Sequence, residues 1–292
     1  MVDLLKGSWV ALVTPFDSSL KIDFAALEKL VKMHMEAETD GLLLCGTTGE
    51  AATMSFAEKA ELIKFVRQKS ENSVPIMFGT GSNDTAATVE LSSKAKELGA
   101  DAILVVTPYY NKPPQSGLIA HYEAVASSTD LPVVLYNVPG RTGCNMQAET
   151  TLKLAEVKNI VAVKEASGNL VQAMEILSKA KDDFVVFSGE DALNLPLMSC
   201  GALGTISVTA NVAPVLMKKF NDAALSGDFV RARTVHYKLL QLHRDLFCET
   251  NPLPAKAALA ARGMLSDFVR LPLSRPTDAT RELIKKSIID LE

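Results

Sequence analysis

Eight short apolar runs, rich in β-branched residues, recur along the 292-residue chain and constrain its fold more than any other feature. They are Trp9–Phe16, Gly41–Thr47, Pro75–Gly81, Ala102–Pro108, Pro132–Val138, Ile160–Ala166, Phe184–Gly189 and Gly204–Val208. Each is near-continuous rather than alternating, the pattern of parallel strands covered on both faces. Their starts lie 20 to 34 residues apart, the length of one strand-plus-helix unit. Eight such units close into an α/β (β/α)8 TIM barrel, which the pattern predicts here. An open doubly wound sheet is the competing arrangement, but no GxGxxG follows the first run.

The intervening segments carry helical periodicity. In Phe24–Glu38, residues Leu27, Leu30, Val31 and Met35 form one stripe behind the N-cap candidate Asp23. Ser55–Lys69 opens with Ser55 and Glu58 at capping-box spacing, and Asn83–Leu98 stops at Gly99. After the eighth unit, Asp228–Phe247, Leu253–Arg262 and Thr277–Asp290 read as helices, punctuated by proline segments. The expected organisation is a catalytic barrel over residues 1-226 and a C-terminal helical extension over 227-292, packed on the barrel.

Charge narrows the function. Thirty basic residues against 34 acidic ones give −4, which excludes a broadly basic nucleic-acid binder. No charged-then-apolar leader and no apolar stretch of about 18 residues are visible, so neither secretion nor a membrane span is expected. Cys45, Cys144, Cys200 and Cys248 show no metal spacing, and most are expected to be small buried residues. A cytoplasmic location follows as the expectation.

A barrel of this kind places its active site at the C-terminal strand ends. Those ends carry Thr14; Thr47, Thr48 and Glu50; Thr80; Tyr109 and Tyr110; Tyr136 and Arg141; Lys164; Gly189, Glu190 and Asp191; and Ile206 with Ser207. None is a histidine: His34, His121, His236 and His243 all fall in helical segments. A histidine-based metal site or general base is therefore not expected, and no cofactor is. Glu190 and Asp191 could hold a divalent ion, but adjacent strand-end acids more often cap the next helix. An acidic seventh loop argues against a phosphorylated substrate.

What remains is covalent chemistry. A lysine ending a buried strand is costly to keep charged, and as a neutral amine it forms imines with carbonyl substrates. By strand alternation Ile160, Ala162 and Lys164 share a face; if that face is the barrel interior, Lys164 enters its mouth from below. Taken alone, Lys164 could equally snorkel to solvent or pair with a carboxylate. Tyr136 is either a proton shuttle or a tyrosine closing the barrel top. Thr47 and Thr48 sit on a glycine-flanked turn that could hold a relay hydroxyl and a carboxylate, or be an ordinary tight turn. Arg141 suits bidentate carboxylate binding or a surface ion pair.

Together, Gly46-Thr47-Thr48-Gly49-Glu50, Tyr136-Asn137-Val138-Pro139-Gly140-Arg141-Thr142 and Val163-Lys164-Glu165-Ala166-Ser167 resemble the pyruvate-dependent class I aldolase family of dihydrodipicolinate synthases and N-acetylneuraminate lyases. The likeness covers essentially the whole chain. It implies a Schiff base between pyruvate and Lys164, whose enamine attacks L-aspartate 4-semialdehyde in the first committed step of lysine and diaminopimelate biosynthesis. By position it makes Tyr136, Thr47 and Tyr110 a proton relay, with Tyr110 supplied by a neighbouring subunit. Thr48 and the backbone at Ile206 would bind pyruvate, Arg141 the semialdehyde carboxylate, and Gly189 would be a further substrate-binding position. A homotetramer of tight dimers is implied. Gly140-Arg141-Thr142 favours the synthase branch over a related sialic-acid or 2-keto-3-deoxy sugar-acid lyase, which needs hydroxyl-binding groups there.

One departure stands out. Lysine-inhibited members carry small polar residues and histidines after the Gly-Thr-Thr-Gly-Glu turn, and an acidic residue near Asn83. This chain has Ala51, Phe56, Lys59 and Ala87, so weak or absent inhibition by L-lysine is expected.

Overall fold

The computed structural model describes residues 4–289. Eight parallel strands close into a barrel in sequential order: β1 Gly7–Ala11, β2 Gly41–Leu44, β3 Ile76–Gly79, β4 Ala102–Val106, β5 Val133–Asn137, β6 Ile160–Glu165, β7 Val185–Ser188 and β8 Gly204–Ser207. The helices of the units are α1 Phe24–Glu36, α2 Phe56–Lys69, α3 Thr85–Leu98, α4 Gln115–Ser127, the short pair α5 Pro139–Thr142 and α6 Ala148–Leu154, α7 Leu170–Lys179, α8 Asn194–Ser199 and α9 Pro214–Leu225. Then come α10 Phe229–Asp245, α11 Leu253–Ala261 and α12 Asp278–Ile289. Asp290, expected to end the last helix, lies outside the described residues.

The caps explain the helix starts. Asp23 accepts from the Ala26 amide, and Ser55 and Glu58 form the reciprocal capping box. Asp84 caps α3, which therefore begins at Thr85 rather than Asn83, and Gly99 ends it in the left-handed conformation. The strands stop sooner than the apolar runs. Beyond Ala11, the Asn211 side chain takes over the backbone pairing: its Nδ2 donates to Ala11 O and its Oδ1 accepts from Val13 N.

Two apolar layers result. Inside the barrel, Trp9, Leu43, Met77, Leu104, Val134, Ala162, Phe187 and Ile206 pack together, with Trp9 and Phe187 edge to face at 6.3 Å. Gly41 is required opposite Trp9, because a Cβ there would fall 2.3 Å from the indole ring. The larger layer lies between the strands and the helices.

The face expected for β6 needs a correction. Val133 pairs with Ile160 but Val134 pairs with Ala162, so β6 carries an extra residue and the alternation resets there. Ile160 consequently joins the outer layer, while Ala162 and Lys164 face inward. The cysteines also divide differently: Cys45 and Cys144 are buried, but Cys200 and Cys248 are exposed.

Candidate active site

The C-terminal strand ends surround a cavity of about 660 Å³, within the range of small-molecule sites. It brings together Thr47, Thr48, Tyr136, Arg141, Lys164 and Gly189, six of the eight residues expected at the site. Ile206 turns its side chain into the barrel interior, and Val208 lines the cavity from that strand end. Tyr110 stands outside the cavity of its own chain, 89% exposed.

Lys164 is buried, and its Nζ lies 4.5 Å from the Tyr136 ring centroid on the neighbouring strand. Burial lowers its pKa to about 8; Asp191 and Glu190 oppose that shift, and Arg141 adds to it. At pH 7 about a tenth of this amine is therefore neutral, far more than for an ordinary lysine. Gly189 makes room for it: a Cβ there would sit 2.9 Å from Lys164 Cε and Cγ. The same crowding explains a glycine at this strand end, beside its proximity to any ligand.

Burial pushes the Tyr136 phenol up to about 12, with Arg141 and the Thr47 hydroxyl pulling the other way. Tyr136 thus keeps its proton at neutral pH and can donate it. Thr47 and Thr48 occupy a tight turn closed by Gly49 N donating to Gly46 O and Glu50 N donating to Thr47 O. Thr14 Oγ1 anchors the turn by donating to Gly49 O at 2.7 Å. Thr48 Oγ1 accepts from Asn251 Nδ2 at 2.9 Å, which leaves its own hydrogen free for an anion in the cavity.

Arg141 rides on α5, whose last residue is tied to the segment just after β4 through Thr107 Oγ1 donating to Thr142 Oγ1. It is exposed, lines the cavity and has no ion pair among the described residues, so the surface-pair alternative does not hold. Behind β5 and β6, the buried Glu165 carboxylate accepts from Asn137 Nδ2, Gln172 Nε2 and Ser167 N, which holds both strand ends rigid.

The acidic pair of the seventh loop does not cap the following helix. Asp191 reaches across to the segment just after β8, accepting from Val208 N and Thr209 N at 3.0 and 2.8 Å, while Glu190 lines the cavity. No group of three or more potential metal ligands occurs among the described residues.

Sequence reading missed one whole wall. Phe247, Cys248, Glu249, Thr250 and Asn251, between α10 and α11, line the cavity. The Asn251-Pro252 dipeptide marked this segment only as a break between helices. Asn251 is buried and its Oδ1 has no protein partner.

A profile described as the Dihydrodipicolinate synthetase family matches residues 4–290. The chain belongs to this family. Curated relatives named 4-hydroxy-tetrahydrodipicolinate synthase include those of Geobacter metallireducens, 48% identical over 96% of each chain, and Pseudomonas putida, 46% identical over 98% of each. A crystal structure of the chloride-inhibited Acinetobacter baumannii dihydrodipicolinate synthase complexed with pyruvate superposes with a TM-score of 0.96, at 43% identity over 98% of each chain. The Cyanidioschyzon merolae enzyme of the family, solved with lysine bound, superposes with a TM-score of 0.95 at 39% identity, over 99% of this chain and 98% of that one.

Proposed function

We propose that the protein is a Schiff-base lyase condensing pyruvate with L-aspartate 4-semialdehyde to 4-hydroxy-tetrahydrodipicolinate, the first committed step of lysine and diaminopimelate biosynthesis. The observation that carries this reading is Lys164: a buried amine with a pKa near 8, at the bottom of a cavity that also holds an unpaired guanidinium. The neutral amine attacks the pyruvate ketone, water leaves, and the cationic imine makes the pyruvate methyl group acidic. Loss of a methyl proton gives the enamine, whose carbon attacks the aldehyde. Tyr136, backed by Thr47, is suited to pass protons through these steps. Thr48 and the turn amides suit the pyruvate carboxylate, and Arg141 the carboxylate of the aldehyde. An unpaired guanidinium favours this short acidic aldehyde over a sugar acid.

The same reading takes Tyr110, exposed at the rim, as serving a neighbouring subunit's cavity in a homotetramer of tight dimers. It takes residues 227-292 as an extension of the catalytic unit, since they supply a cavity wall. The four unpaired thiols suit a cytoplasmic location. No described helix is long and apolar enough to cross a membrane.

Borohydride reduction with pyruvate, followed by peptide mass mapping, tests the reading; absence of an adduct on Lys164 removes the mechanism. L-lysine is expected to inhibit weakly or not at all. The exposed Phe56 ring already carries the Lys94 ammonium 5.0 Å from its centroid, and Lys59 lies one helical turn on. An inhibition constant in the low-millimolar range or below would contradict this.

A further inference from the structure

Three carboxylates stand at or beneath the cavity wall, and two of them are committed. Asp191 accepts from Val208 N, Thr209 N and Asn194 Nδ2. Glu249 accepts from the Thr277 and Thr280 hydroxyls and the Thr277 amide. Glu190 differs. It is half-buried, it lines the cavity beside Gly189 and Lys164, and its carboxylate has no hydrogen bond or ion pair among the described residues. Only its backbone carbonyl is engaged, by the Ser188 hydroxyl and the Leu193 amide.

The cavity therefore presents an unpaired guanidinium and an unpaired carboxylate, and both act on Lys164 and Tyr136. A wall bearing one free cation and one free anion is complementary to a zwitterion, and an α-amino acid aldehyde is one. We propose that Glu190 binds the α-ammonium group of the aldehyde substrate and then removes the proton that keeps its nitrogen from closing the ring. This rests on the condensation proposed above and assigns it a further catalytic residue.

The step balances. After carbon–carbon bond formation the substrate ammonium gives one proton to the Glu190 carboxylate. The freed nitrogen pair bonds to the iminium carbon attached to Lys164. A proton passes from the attacking nitrogen to Nζ, the bond from carbon to Nζ breaks toward lysine, and the cyclic product leaves as its iminium. Lys164 is left as the neutral amine that the next pyruvate requires. Glu190 returns its proton to solvent. Burial and the neighbouring Asp191 charge raise the Glu190 pKa, with Lys164 opposing, which suits a group that must accept a proton.

The test compares two aldehydes of equal length, L-aspartate 4-semialdehyde and succinic semialdehyde, which lacks the amine. Glu190→Gln should keep pyruvate-dependent trapping of Lys164, with the pyruvate KM within about twofold of the parent. The KM for L-aspartate 4-semialdehyde should rise about tenfold or more, with a fall in kcat, as expected for loss of a charge-assisted contact. Succinic semialdehyde affinity should be unchanged, and Glu190→Asp should recover part of the loss. Equal losses with both aldehydes, or no loss with either, overturn the proposal. Failure of the parent protein to trap pyruvate would instead overturn the condensation reading.

Discussion

Two clusters of charge in this protein are built on opposite rules. Beneath the Thr47–Thr48 turn, Glu50 and Lys256 form an ion pair with both side chains inaccessible. Every group there is matched: Lys256 Nζ also donates to Phe268 O, Glu50 accepts from the Arg270 amide, and the Arg270 guanidinium pairs with Glu58. The Lys256 and Arg270 cations also lie 4.4 and 4.3 Å from the Phe16 ring centroid. In the cavity a few residues away, Lys164, Arg141 and Glu190 form no ion pairs among the described residues. The first cluster spends its charges on holding the α11 segment against the turn. The second keeps its charges uncommitted, at a cost in stability, because a substrate must supply the partners.

Breaking the matched cluster should do the most damage to the fold. Lys256→Met strands a buried carboxylate and should cost about 3–5 kcal/mol by urea denaturation, most of it recovered in a Lys256→Met, Glu50→Gln double variant. A loss below 1 kcal/mol would erase the contrast between the clusters.

The unmatched cluster should respond with the opposite sign. The folded pKa of Lys164 is about 8, below its ordinary 10.5, so the folded state binds fewer protons from this group between those values. Its penalty is full below pH 8, falls as pH rises, and is gone above 10.5. Lys164→Met should therefore stabilise the protein by about 3 kcal/mol at neutral pH, the advantage vanishing toward the upper value, while trapping with pyruvate is lost. A destabilised variant at pH 7 would mean that the amine already has a partner. In the parent, adduct formation should accelerate as pH rises toward about 8.

The smallest effect is expected at Arg141. Because it has no protein partner to strand, Arg141→Met should leave stability within about 0.5 kcal/mol. The KM for the semialdehyde should rise about tenfold with the pyruvate KM unchanged. A matching rise for both substrates would place Arg141 elsewhere in the reaction.

Much of the site could be read in one dimension because barrel geometry converts strand order into neighbourhood. Once Tyr136 and Lys164 are assigned to successive strand ends, they must be adjacent, and they pair in register. The capping box of α2 and the stop at Gly99 are equally local and equally legible. Residues joined by long chain closures were not. Lys256 meets Glu50 across 206 residues, and Asn251 meets Thr48 across 203, with no periodicity to announce either contact. The bulge that turns Ile160 outward leaves no mark in a run apolar on both faces.

By itself the sequence determined the eight-strand barrel, because apolar periodicity and unit length are properties of the chain alone. It also determined which reactive groups lie at the strand ends. Only the tertiary structure decided which of those charges are spoken for. Asp191 and Glu190 are neighbours in sequence, yet one is saturated by the Val208 and Thr209 amides just after β8 and the other faces an open cavity. Commitment depends on donors brought in from distant segments, and whether a charge is left free for chemistry is settled by that packing.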